Sequence, residues 1–177
     1  MRAQLKRAGS IPLTIARATH IEEWLKVPEA QREAWSGFLR AHAAIVGELD
    51  GQLRSEHGLA LREYDVLVRL SRAPGGRMQM FELAESVRFS RSGLTRMVDR
   101  LAAVGLLERR KGSSDPRQVF ATITEGGLGR LAEATPTHLA GVRELFLGRL
   151  TGEQTEQLAG IWKTLLEGEP TYDRAAE

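Results

Sequence analysis

The stretch Ser90–Leu101, SRSGLTRMVDRL, constrains the fold more than any other part of the chain. Leu94, Met97, Val98 and Leu101 recur at i, i+3, i+4 and i+7, the spacing of one buried face of an α-helix. Ser92, Thr95, Arg96, Asp99 and Ala103 fall on the opposite side, with Arg91 and Arg100 flanking. Ser90 has the side chain of a helix N-cap. Such a helix must lie against a core and leaves three arginines away from it. A solvated face is the simplest account of that charge. The flanking sequence makes a sharper one available.

Upstream, Met78–Val87 reads as a short amphipathic helix with Leu83, Ala84 and Val87 inward, so the two helices form a helix–turn–helix. Downstream, Gly105 stops the second helix and the apolar period changes to two. Leu106–Lys111 and Gln118–Thr124 read as short strands, with Val119, Ala121 and Ile123 alternating against Gln118, Phe120 and Thr122. The polar loop Gly112–Arg117 between them is rich in turn formers. A hairpin after a helix–turn–helix is the wing of a winged helix. The fold class expected is mainly α with a small two-stranded β-wing.

Longer helices flank this unit. Thr19-His-Ile-Glu22 has the form of a capping box for a helix from about His20 to Val27. Pro28 opens a longer helix in which Trp35, Phe38, His42, Ile45, Leu49 and Leu53 recur at steps of three and four, and Gly58 closes it. Leu61–Arg72 follows, with Tyr64, Leu67, Val68 and Ser71 along one side. Thr124 caps a helix carrying Leu128, Leu131, His138, Leu139, Val142, Leu145, Phe146 and Leu150. Thr151-Gly-Glu-Gln154 opens the last helix, with Leu158, Ile161, Trp162 and Leu165.

The chain of 177 residues carries a net charge of only +2, but Arg88–Arg117 holds eight basic residues against Asp99, Glu108 and Asp115. Charge concentrated in one segment points to an anionic partner. Arginine on a helix in the major groove can read guanine, and a wing-tip arginine can enter the minor groove. Arg91 and Arg96 are placed to reach DNA, Asp99 is not a phosphate contact, and Arg100 braces the fold or touches the backbone. At the wing, Asp115 is expected to orient the guanidinium of Arg117. With no cysteine in the chain, disulfides and thiolate chemistry are excluded. His20, His42, His57 and His138 contain no pair at metal-binding helical spacing. No phosphate loop or nucleophile elbow is present. The reading is of a non-enzyme without cofactor or metal, no run is long and apolar enough for a membrane helix, and the expected location is the cytoplasm, at the nucleoid.

Taken together these residues resemble the MarR family of bacterial transcriptional regulators. The resemblance rests on Glu82-Leu-Ala84, Ser90-Arg-Ser-Gly-Leu-Thr-Arg96, Val98-Asp-Arg-Leu101, Gly105-Leu-Leu107 with Arg109, and Asp115-Pro-Arg117 leading to Ile123-Thr124 and Gly127. It covers roughly residues 30 to 167. Ala60 departs from the pattern, since a capping Thr or Ser is more usual there. The resemblance implies a homodimer that binds pseudo-palindromic double-stranded DNA, usually represses, and is released by a small, often aromatic, ligand. It implies DNA contacts from Ser90, Arg91, Ser92, Thr95, Arg96, Asp115 and Arg117, to which Arg100 is added as a backbone contact. The dimer interface is expected to include Leu139, Val142, Leu145, Phe146, Leu158 and Trp162. Trp35, Phe38, His42 and Tyr64 are candidates for a ligand pocket, although aromatics at helical spacing also serve as core. The expected organisation is an N-terminal extension over 1–28, a helical dimerisation region over 29–60 and 125–168, a winged helix–turn–helix lobe over 61–124, and a flexible tail over 169–177. The alternative is a dimeric winged-helix scaffold for an acidic protein partner, which would place apolar anchors on the exposed helix face.

Overall fold

The computed structural model describes residues 21–112, 115 and 117–168. Thr19 and His20 of the first capping box, and the tail after 168, lie outside the described residues. The chain divides into two compact units between Ala44 and Ile45. In the first, residues 21–25 are helical, and Pro28 stands immediately before α1 (Glu29–His57), the helix that runs across the division.

In the second unit α1 is followed by α2 (Leu61–Arg72), β1 (Arg77–Gln79), α3 (Met80–Ser86), α4 (Arg91–Ala103), β2 (Leu107–Lys111), β3 (Val119–Ile123), α5 (Glu125–Leu145) and α6 (Gly152–Leu165). The core of this unit collects Leu53, Leu67, Leu70, Leu83, Leu94, Val98, Leu107 and Ala121, each almost fully buried. All four residues of the stripe on α4 are buried, as their spacing requires. Truncating one of the leucines to Ala would cost about 2–5 kcal/mol.

The structure corrects the sequence reading in three places. Met78 and Gln79 form a strand rather than the start of a helix. Gly75 and Gly76 take φ values of 65° and 67° and turn the chain back. Arg77–Gln79 then pairs antiparallel with Thr122–Phe120, which satisfies an edge of β3 that would otherwise be left open. The sheet is therefore three-stranded, in the order β1-β3-β2, with β2 and β3 forming the wing. Along α2 the buried residues are Tyr64, Val66, Leu67 and Leu70, whereas Ser71 is exposed and turns its hydroxyl to the Val68 carbonyl. Because α2 packs against both α5 and the sheet, it buries a wider arc than one amphipathic stripe. Finally, α5 ends at Leu145, and Phe146 and Leu150 fall outside it around a short 3-10 turn. Gly148 permits that turn, since a Cβ there would lie 2.8 Å from the Arg143 carbonyl oxygen.

Two junctions hold the helices in place. Gly58 (φ 62°) reverses the chain after α1, and its N–H donates to the Arg54 carbonyl. Gly141 on α5 faces α1 closely enough that a Cβ would meet Gln52 Oε1 at 2.5 Å and Leu49 Cδ2 at 2.6 Å.

Candidate nucleic-acid interface

The first turn of α4 is capped as its sequence suggests. Ser90 Oγ accepts the Gly93 N–H at 3.1 Å and lies 3.4 Å from Ser92 Oγ. Thr95 Oγ1 donates to the Arg91 carbonyl at 2.9 Å, and Arg96 Nε reaches the Ser92 carbonyl at 3.4 Å. Arg91, Ser92 and Arg96 are exposed and Thr95 is half-buried. These side chains stand opposite Leu94, Met97, Val98 and Leu101, so burying the stripe leaves a polar, basic face outward. The α4 N–H groups at this end carry the positive end of the helix dipole.

Charge on the rest of α4 is spent internally. Asp99 accepts from Arg109 Nη1 on β2 at 2.8 Å, which ties α4 to the wing. Arg100 Nη2 donates to Glu63 Oε1 at 2.7 Å, which ties it to α2. Glu63 was not singled out in the sequence. Its other oxygen accepts the Ala60 N–H at 2.9 Å, and Asp50 of α1 accepts the Leu61 N–H at 2.8 Å. Ala60 has no hydroxyl to accept an N–H of the first turn, and the two carboxylates instead satisfy the N–H groups of Ala60 and Leu61. The spacing Ala60–Glu63, half of a capping box, was the available signal for Glu63; nothing local marks Asp50. The Arg54 side chain, bonded to Asp50 at 2.6 Å, holds that carboxyl below its usual pKa, and the Leu61 N–H acts in the same direction.

On the wing, the Asp115 carboxylate accepts the backbone N–H of Arg117 at 2.9 Å. The expectation that it orients the guanidinium is corrected: its hydrogen bond shapes the turn, because a carboxylate two residues back reaches the main chain first. The Arg117 side chain is exposed. A cleft of about 350 Å³ separates the wing from the helices, with Thr95, Phe81, Arg109 and Arg117 among its walls.

The other sequence candidates fall as follows. In the first unit Trp35, Phe38 and His42 form a ladder along α1, with ring centroids 6.0 and 5.9 Å apart, and Trp35 and Phe38 are exposed. In the second unit Tyr64 is buried, its ring 4.6 Å from that of His138 and its hydroxyl 3.3 Å from Thr135 Oγ1. Burial holds the His138 imidazole below its usual pKa, with Asp65 opposing. Leu139 is exposed on α5, while Val142, Leu145, Phe146, Leu158 and Trp162 are half-buried. Among the described residues no group of three His, Asp or Glu could hold a metal ion, and no helix is long and apolar enough to cross a membrane.

A capped, arginine-bearing helix followed by a wing is shared with proteins already known. Residues 57–118 match the model of the MarR family. A MarR family transcriptional regulator of Streptomyces coelicolor, Sco3205, solved in complex with DNA, is 32% identical with a TM-score of 0.76. That match covers 83% of this chain and 96% of Sco3205. The chain belongs to the MarR family of transcriptional regulators. A second member, AbsC from Streptomyces coelicolor, is 31% identical over 80% of this chain and 95% of its own, with a TM-score of 0.75. The HTH-type transcriptional regulator MhqR of Bacillus subtilis (strain 168) is 29% identical over 124 residues, 70% of this chain and 83% of MhqR. Membership assigns the chain to transcription regulation rather than catalysis, and the family model matches from the end of α1 through β2 and the wing loop, stopping short of β3.

Proposed function

We propose that this MarR family member acts as a homodimer on pseudo-palindromic operator DNA, represses from it, and is released by a small aromatic ligand. The observation that carries the DNA reading is the exposed face of α4: Ser90, Arg91, Ser92, Thr95 and Arg96 stand on one side of a helix whose other side is core. Sco3205, with DNA bound in its structure, is similar over nearly its whole length. In this reading α4 enters the major groove, Arg117 reaches the minor groove from a turn set by Asp115, and Arg100 steadies α4 from its pair with Glu63. The scaffold alternative wants apolar anchors on that face, and the residues there are arginines and hydroxyls.

The dimer reading is supported by apolar side chains that the single chain leaves in solvent on its last helices, with Leu139 45%, Ile161 53% and Leu165 66% exposed. Residues 29–60 and 125–168 are the proposed dimerisation region and 61–124 the proposed DNA lobe. The exposed row of Trp35, Phe38 and His42, whose rings are tilted to one another, is the proposed contact for an aromatic ligand, since exposed ring faces and edges favour planar rings. Selecting bound duplexes from a random pool tests the whole reading. A dyad with half-sites about 10 bp apart is the expected outcome; absence of any enriched sequence would refute it.

A further inference from the structure

The turn between α3 and α4 gathers arginines at positions where the backbone does not favour them. Arg62 stands in the first turn of α2, the positive end of the helix dipole, where a cation is unfavourable. Arg88, in the turn itself, takes φ 51°, a left-handed conformation that glycine or asparagine adopts with less strain. Non-glycine residues held in that region cluster at functional sites. Both side chains are exposed, as is Arg91 at the start of α4.

Phe89 joins these positions. The guanidinium carbon of Arg62 sits 4.9 Å from the centre of the Phe89 ring, within cation–π range. The same ring lies against the first turn of α4, for a Cβ on Gly93 would meet Phe89 Cδ1 at 3.2 Å. Gly93 is therefore small because Phe89 and the Ser90 cap occupy its side of the helix. From the same turn of α2, Glu63 reaches the other end of α4 through Arg100. Arg62 is thus carried by an element braced against the recognition helix, and its head is held by a ring packed on that helix.

The ring orients the guanidinium without neutralising it. A fixed, exposed cation beside the helix that enters the groove, and carried by a different helix, suits a phosphodiester oxygen rather than a base edge. We propose that Arg62 contacts the DNA backbone on the flank of the recognition helix, and that Phe89 is the positioning residue that holds it for that contact. The inference rests on the DNA-binding reading above.

The test measures binding by fluorescence anisotropy, on a duplex selected from the random pool and on an unrelated duplex, over a salt series. Arg62→Gln is expected to weaken both duplexes alike. It should also make the slope of log affinity against log salt shallower by about 0.9, the signature of one lost phosphate contact. Phe89→Leu should show part of the same loss, and Phe89→Tyr, which keeps a π-face, should restore it. Thermal melts of each variant establish that the fold is intact. Unchanged affinity and slope in Arg62→Gln, with wild type binding normally, would overturn the assignment. A loss confined to the selected duplex would overturn it too, because Arg62 would then be reading a base. Wild-type protein that binds neither duplex at any salt would instead overturn the DNA-binding reading itself.

Discussion

Ser90, Gly93 and Phe89 show how tightly single residues are constrained around one helix end. The hydroxyl of Ser90 closes the first turn, and Gly93 leaves room for it and for the aromatic ring beside it. Gly127 is constrained more severely. A Cβ there would stand 2.2 Å from the Leu106 carbonyl oxygen, which is backbone at the foot of the wing, and 2.8 Å from the Ile123 side chain at Cγ1. Gly127→Ala should lower stability by about 3 kcal/mol, a cost of overpacking against backbone, and a denaturant midpoint measured beside wild type checks it. The arginines answer to a different measurement. Arg96→Ala should cost roughly 1–3 kcal/mol of operator affinity and relax sequence preference, if its guanidinium reads a base. An equal loss on random DNA would mean that it touches phosphate alone. Arg117→Ala should weaken binding while the melting temperature stays the same.

At the scale of elements, the start of α2 is held by side chains from three helices. Asp50 of α1 accepts the Leu61 N–H, Glu63 accepts the Ala60 N–H, and Arg100 of α4 holds Glu63. Asp50→Ala removes an acceptor that no hydroxyl at position 60 can replace, and should cost about 1 kcal/mol. Since the folded pKa of Asp50 lies below its usual value, its contribution is complete above the ordinary carboxylate range. It is lost as pH falls below about 4. Chemical unfolding of wild type and Asp50→Ala should converge at low pH. His138 works in a higher window. Among the described residues its buried Nδ1 meets no hydrogen-bond partner, and burial favours the neutral ring. A base with a depressed folded pKa binds fewer protons than its unfolded form, so stability should decline as pH falls below about 6.5. His138→Phe keeps a ring against Tyr64 and removes the titration. Its stability should fall less than that of wild type between about pH 7 and pH 5, and parallel curves would count against His138 as the group responsible.

For the whole molecule, the proposed dimer makes DNA recognition a property of two chains. Leu158→Asp, on the face of α6 that carries Ile161 and Leu165, should yield a monomer in sedimentation velocity and abolish specific binding in the same step. A monomeric variant with full operator affinity would break that coupling. Legibility at this scale was uneven. The stripe of α4, the Ser90 and Thr124 caps, the Gly58 stop and the alternation of β3 could all be read directly, because each depends on residues within a turn or a pleat of one another. The strand β1 could not, since three residues after two glycines become a strand only when β3 lies beside them.

The same division separates the parts of the interface. By itself the sequence determined that α4 would bury Leu94, Met97, Val98 and Leu101 and leave Ser92 and Arg96 outward, because helical periodicity assigns each side chain its direction. It also determined the family, since the motif residues lie at fixed spacings along the chain. Only the tertiary structure decided which charges pair with one another within the chain. Asp99 meets Arg109 across 10 positions and Arg100 meets Glu63 across 37, and such pairings follow from how the helices and the wing pack. Tertiary structure also decided that Asp115 would serve its own turn and that Phe89 would lie between Arg62 and Gly93. A sequence sets what each residue can offer locally; packing chooses the partner, because the partner is distant in the chain and near only once the core has formed.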